Sequence, residues 1–167
     1  MRSTVLALAI LAGLVAGPAA ASPGAPGHTH SHDGYAFGEP GDPKKPARVV
    51  EVVAREVDGR MAFEPSRIEV KQGERIRFRI RNAGQLAHEF MLGTPADNAK
   101  HAALMQRFPE MEHDDPNGTS LQPGATAELV WTFSKAGTFE FACLKPGHYE
   151  AGMNGPLVVV PASSKKK

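Results

Sequence analysis

The run "ERIRFRIRN", residues 74–82, constrains the fold of this chain more than any other stretch. Ile76, Phe78 and Ile80 alternate with Arg75, Arg77, Arg79 and Arg81. A period of two with one apolar face is a strand with one side packed and one side wet. The arginine row is then a solvated face rather than a docking patch for an acidic partner. Strand-like runs recur along the chain: "RVVEVVAREV" from Arg48, "SRIEV" from Ser66, "AHEFMLG" from Ala87, "ATAELVWTF" from Ala125, "GTFEFAC" from Gly137 and "GPLVVV" from Gly155. Gly- and Pro-containing turns separate them, which predicts an all-β Greek-key sandwich or barrel. Phe139, Phe141 and Trp131 are expected in its core.

One segment interrupts the strands. In "TPADNAKHAALMQRF", Thr94 stands as an N-cap, Pro95 as the first helical residue and Asp97 as the third. Pro109 ends the pattern. The expectation is one short inserted helix with Ala103, Leu104 and Phe108 on its buried face.

The N-terminus has the layout of a signal peptide. Arg2 precedes an apolar run from Val5 to Val15, then Gly17, Pro18 and three alanines, with cleavage expected after Ala21. The run falls short of the ~20 apolar residues that a membrane span requires. Export to the periplasm or beyond follows, with no stable membrane span after cleavage. Removing residues 1–21 takes Arg2 from the 19 basic residues and no acid, which leaves 18 against 18. A neutral mature chain argues against nucleic acid or a polybasic membrane contact. Residues 22–46 are rich in Pro, Gly and Ser and are expected to form a disordered lead-in. The folded domain is expected over 47–161, followed by a basic tail, 162–167, that ends in Lys165, Lys166 and Lys167.

The chain has one cysteine, Cys143, within "ACLKPGHYEAGM". An exported protein usually pairs its cysteines, so a lone thiol is an intermolecular crosslink, a buried spectator or a metal ligand. His148 and Met153 follow at intervals of five. Thiolate, imidazole and thioether are a set that favours copper, and two histidines, one cysteine and a weak axial methionine make an electron-transfer copper site. The second histidine has to come from a distant strand. His88 in "GQLAHEFMLG" is the best candidate. His28, His30 and His32 lie in the lead-in, His101 in the helix and His113 in an acidic loop.

The spacing Cys-x4-His-x4-Met, with "FEFAC" before it and "GPLVVV" after it, resembles the cupredoxins, blue-copper proteins related to plastocyanin, azurin and rusticyanin. The resemblance covers about residues 47–161, and "PGHYEAGM" is most similar to the periplasmic, copper-tolerance branch. It implies one copper ion held by His88, Cys143, His148 and Met153, with His148 nearest the surface. Pro146 and Gly147 would set the turn of the ligand loop, and Gly152 and Gly155 would allow close backbone approach. Many cupredoxins carry Asn directly after the first histidine, where it ties the two ligand segments together; here that position is Glu89.

The functional expectation is a one-electron carrier that cycles Cu(I)/Cu(II), a monomer that meets a redox partner or a copper-handling protein. The alternative is copper tolerance by sequestration, with "HTHSHD" (His28, His30, His32) and "EMEHDD" (Met111, His113) as accessory ligands. No enzyme activity is expected. The ligand loop has no second cysteine and the chain has no His-Cys-His string, no phosphate-binding loop after a strand and no legible triad.

Overall fold

The computed structural model describes residues 35–109 and 115–162, which fall within one compact unit. The expected signal peptide, the "HTHSHD" histidines, Met111, His113 and the three terminal lysines lie outside the described residues. Ten strands and one helix follow in order. They are β1 (Gly38–Pro40), β2 (Arg48–Val57), β3 (Arg60–Glu64), β4 (Ile68–Lys71), β5 (Arg75–Asn82), β6 (His88–Gly93), α1 (Pro95–Arg107), β7 (Gly118–Leu121), β8 (Thr126–Phe133), β9 (Gly137–Ala142) and β10 (Asn154–Val160). They form two five-stranded sheets with orders β1-β8-β5-β2-β3 and β4-β10-β9-β6-β7. The all-β sandwich with one inserted helix is the architecture the alternation predicts.

The core lies between the sheets and is rich in aromatic rings. Phe78 of β5 meets Phe90 of β6 at 5.4 Å between ring centres, and Phe63 of β3 meets Phe141 of β9 at 5.7 Å. Trp131, Phe78 and Phe141 have no exposed surface, and Phe139 retains little. The arginines of β5 face outward against acids of neighbouring strands. Arg77 and Arg79 both bond Glu128 of β8, at 2.6 and 3.1 Å. They are a solvated, charge-neutralised face, and such exposed pairs contribute little to stability.

Two expectations are corrected. The lead-in was expected to lack structure as far as residue 46. Instead β1 pairs antiparallel with β8, and Phe37 is buried against Trp131 and Phe139, each at 5.2 Å. One buried aromatic outweighs the Gly/Pro-rich composition around it. The helix begins as expected, with Thr94 Oγ1 accepting the Asp97 N–H at 3.1 Å. Its buried residues, however, are Asn98 and Met105, while Leu104 and Phe108 are exposed. The polar Asn98 faces inward because a buried acid, Glu140 of β9, accepts its amide at 2.9 Å.

The helix packs on β6 and β9, on the side of their sheet away from the main core. A second small cluster forms there from Met91, Ala142 and Leu144, with Ala102 and Tyr149 beside it. This explains why all six residues of β6 are buried rather than every other one. No helix among the described residues is long and apolar enough to cross a membrane.

If residues 35–40 belong to the core, Phe37→Ala should cost about 3–5 kcal/mol, the usual range for a buried Phe. Denaturant unfolding would read this as a lower midpoint at unchanged slope. An unchanged midpoint would mean that β1 is dispensable.

Candidate metal centre

The alternation that builds the sandwich also delivers the donors. His88, Phe90 and Leu92 point into the core from β6, and Phe139, Phe141 and Cys143 do so from β9 and its continuation. Strands β6 and β9 are hydrogen-bonded neighbours, with Met91 opposite Ala142. The imidazole of His88 and the thiol of Cys143 therefore meet at one end of the sandwich, each fully buried.

His148 arrives from the loop after β9. His88 Nδ1 and His148 Nδ1 lie 3.2 Å apart, and Cys143 Sγ lies 3.4 Å from His148 Nδ1. All three donor atoms fall within 4.8 Å of one another. Imidazole nitrogens bind zinc at about 2.0–2.1 Å, so two such bonds to one small ion are compatible with a 3.2 Å separation. Two imidazoles and a thiolate are a donor set suited to copper.

Backbone bonds close the ligand loop on itself. Cys143 N–H donates to Met153 O at 2.9 Å, Met153 N–H to His148 O at 3.1 Å and Ala151 N–H to Gly147 O at 3.1 Å. Gly147 (φ 83°) and Gly152 (φ 100°) take the left-handed backbone these turns need. A side chain at Gly155 would meet Ser66 O at 2.4 Å, so the loop returns to β10 in close contact with the β4 side. Met153 is fully buried, within the main core cluster. Met61 N–H of β3 donates to Ala151 O at 3.1 Å, which joins the loop to the opposite sheet.

Three residues support the centre, and of these the sequence drew attention only to Glu89. Glu56, at the end of β2, accepts from His88 Nε2 at 2.8 Å. Glu89, in the position where many cupredoxins carry Asn, donates its backbone N–H to Cys143 Sγ at 3.3 Å, and its carboxylate lies 3.9 Å from Lys145 Nζ. The tie between the two ligand segments is thus made by main chain and an ion pair. Glu140 accepts from Tyr149 Oη at 2.8 Å as well as from Asn98, so it links the helix to the loop. Of the acidic cluster only Asp115 is described, 3.9 Å from His101 Nδ1.

The electrostatics suit a site that waits for a cation. Burial pushes the Cys143 thiol up to about 11, so the metal-free site holds a neutral thiol. Burial, with His88 and Lys145 nearby, lowers the His148 pKa, which keeps its ring neutral and its lone pair available to lower pH. Burial disfavours the Glu56 carboxylate, but the N–H groups of Gln85 and Leu86 and the His88 ring outweigh it and hold the acid below the usual range. The hydrogen bond to Glu140, then burial, pushes the Tyr149 phenol up to about 12.

The comparisons with known proteins agree with this geometry. Residues 50–160 match the family model described as copper binding proteins, plastocyanin/azurin family. The chain belongs to that family. Its cofactor is copper, one ion, and the two histidines and the cysteine that converge are the candidate centre for it. The chain is 48% identical to a copper-resistant cuproprotein, CopI, of Rubrivivax gelatinosus over 78% of each chain. It is 41% identical to the CopI of Pseudomonas aeruginosa, over 77% of this chain and 84% of that one. Auracyanin B superposes with a TM-score of 0.60 at 25% identity, over 75% of this cupredoxin and 97% of auracyanin B.

A buried thiol with its pKa at about 11 should resist alkylation. At pH 8 the copper-free protein should react on the order of 100-fold more slowly than an ordinary cysteine of pKa ~8.5. The rate should rise about tenfold per pH unit as pH climbs toward that value, because the thiolate is the nucleophile. Copper should block the reaction. Labelling at the ordinary rate would show that Cys143 is not enclosed as described.

Proposed function

We propose that this chain is an exported copper-tolerance cupredoxin in which His88, Cys143, His148 and Met153 hold one redox-active copper ion. The convergence of His88 Nδ1, His148 Nδ1 and Cys143 Sγ inside the sandwich carries this reading. The names of the 48% and 41% identical relatives, copper-resistant cuproproteins, support the physiological part. The amino-terminal layout of Arg2, an apolar run and small residues before Ser22 supports export. The protein acts here as a copper-binding protein rather than an enzyme, and a copper-handling protein is the partner class that follows.

Bound copper supplies a one-electron couple. The chain supplies the rest. Cys143 gives up its proton on binding and presents a thiolate. The imidazoles of His88 and His148 would hold the ion together with it, and Met153, at the closure of the loop, would provide a weak fourth donor. The strands and the bonded loop hold these groups in one arrangement, so little rearrangement accompanies a change of charge at their centre. His148, half-buried where His88 and Cys143 are fully buried, is the edge through which an electron reaches solvent or a partner.

A second reading, a dedicated electron carrier, draws on the same features and on the likeness to auracyanin B. Cells separate the two. A strain that lacks the protein should be copper-sensitive, the wild-type gene should restore tolerance and Cys143→Ser should not. The purified wild type should show an intense thiolate-to-copper(II) band that the variant lacks. Normal copper tolerance in the deleted strain would favour the carrier, and a colourless copper(II) form would remove both readings.

A further inference from the structure

Glu56 lies 32 residues upstream of His88 in the chain, yet its carboxylate is built into the edge of the copper site. The path of the chain accounts for this. β2 and β5 run parallel, and their pairing ends at Ala54 opposite Asn82. Ala83 N–H then bonds Ala54 O at 2.8 Å, which keeps the chain beside β2 for one more residue. From there the segment 84–87 wraps over the Glu56 carboxylate before β6 begins at His88. Gln85 N–H donates to Oε2 at 2.8 Å, and Leu86 N–H donates to Oε1 at 3.1 Å. Gly84 is close enough that a Cβ there would sit 2.2 Å from Oε2. Asn82 shapes the same loop: its Oδ1 accepts Gly84 N–H at 2.9 Å, and its Nδ2 donates to Leu86 O and Leu121 O at 2.7 and 3.1 Å.

Two carboxylate oxygens are thus surrounded by two backbone N–H donors and one imidazole edge. Every partner on the loop is a donor, so the group they face is an acceptor, and His88 Nε2 is the nitrogen that carries the ring proton. The other ring nitrogen, Nδ1, keeps its lone pair and points toward His148 Nδ1 and Cys143 Sγ. We infer that Glu56 is a positioning residue for the copper site: it fixes the His88 tautomer and lends the ring negative character that favours Cu(II) over Cu(I). A carboxylate behind a metal-bound histidine raises the donor strength of the ring, and losing such a partner commonly costs 10–100-fold in metal affinity.

The inference rests on the reading of His88 as a copper ligand, and the experiment separates the two. Glu56→Gln keeps the size of the side chain, removes the charge and turns an amide NH₂ toward a backbone donor. Relative to wild type, the ratio of Cu(II) to Cu(I) affinity should fall 10–100-fold. At 59 mV per tenfold for a one-electron couple, this is a rise in reduction potential of about 60–120 mV. Glu56→Asp, which retains the charge, should recover part of that shift. A cap that served only to fold the 84–87 loop would lower stability and leave the potential unmoved. In the copper-free wild type, nitrogen-15 NMR should find the His88 proton on Nε2, a measurement that needs no variant to fold. A change below twofold in Glu56→Gln, or a proton on Nδ1 of the copper-free ring, would overturn the role of Glu56 and leave the copper ligands as proposed. A copper(II) spectrum unaltered by His88→Gly would overturn the ligand reading and this inference with it.

Discussion

Burying an imidazole and a thiol is unfavourable unless their polar atoms find partners. The fully buried His88 and Cys143 accept this cost at one end of the sandwich, and they are turned toward each other and toward His148. His88 has one nitrogen anchored on Glu56 and the other aimed at the cluster. Cys143 accepts the Glu89 N–H, which fixes the sulfur and stabilises a negative charge on it. In this arrangement three donor atoms face one another at distances that one ion could bridge. The strands and the loop around them hold those donors at these separations.

The sandwich achieves this with short-range order. Neighbouring strands β6 and β9 bring in one donor each, and the aromatic contacts across the core resist relative movement of the sheets. The ligand loop is bonded to itself at Cys143, His148 and Met153 and to β3 through Met61. On the outer side, Glu140 joins the helix to Tyr149, next to His148 in the chain. The loop is therefore held from both sides of its sheet. A copper site that changes oxidation state benefits from such restraint, since a fixed compromise geometry reduces the reorganisation needed on electron transfer.

How legible this was in the sequence follows from distance along the chain. Cys143, His148 and Met153 sit within eleven residues, so their spacing alone suggested a loop around a metal. His88 was accessible by exclusion, because the other histidines lay in segments of different texture. Seven strands, β2, β4, β5, β6, β8, β9 and β10, followed from their apolar runs and alternation. β1, β3 and β7 did not, because they are short and, unlike the equally short β4 with its Ile68 and Val70, carry no β-branched apolar pair in alternation. Phe37 was hidden by the glycines and prolines around it. Glu56 and Glu140 were hidden for another reason, and for Glu89 the sequence marked the position but not the contacts. An acid in a strand usually reads as a solvated residue, and only the folded chain reveals which donors surround it. The inward face of α1 was misjudged in the same way, because Asn98 is buried by its bond to Glu140 rather than by apolar character.

Anomalous scattering at the copper edge from crystals of the copper-loaded protein would locate the ion relative to the three converging donors. One strong peak is expected, bounded by Nδ1 of His88, Nδ1 of His148 and Sγ of Cys143, with those side chains in the same rotamers as in crystals grown without the metal. A principal peak elsewhere, or a site that assembles only after His88 or Cys143 swings into place, would contradict it.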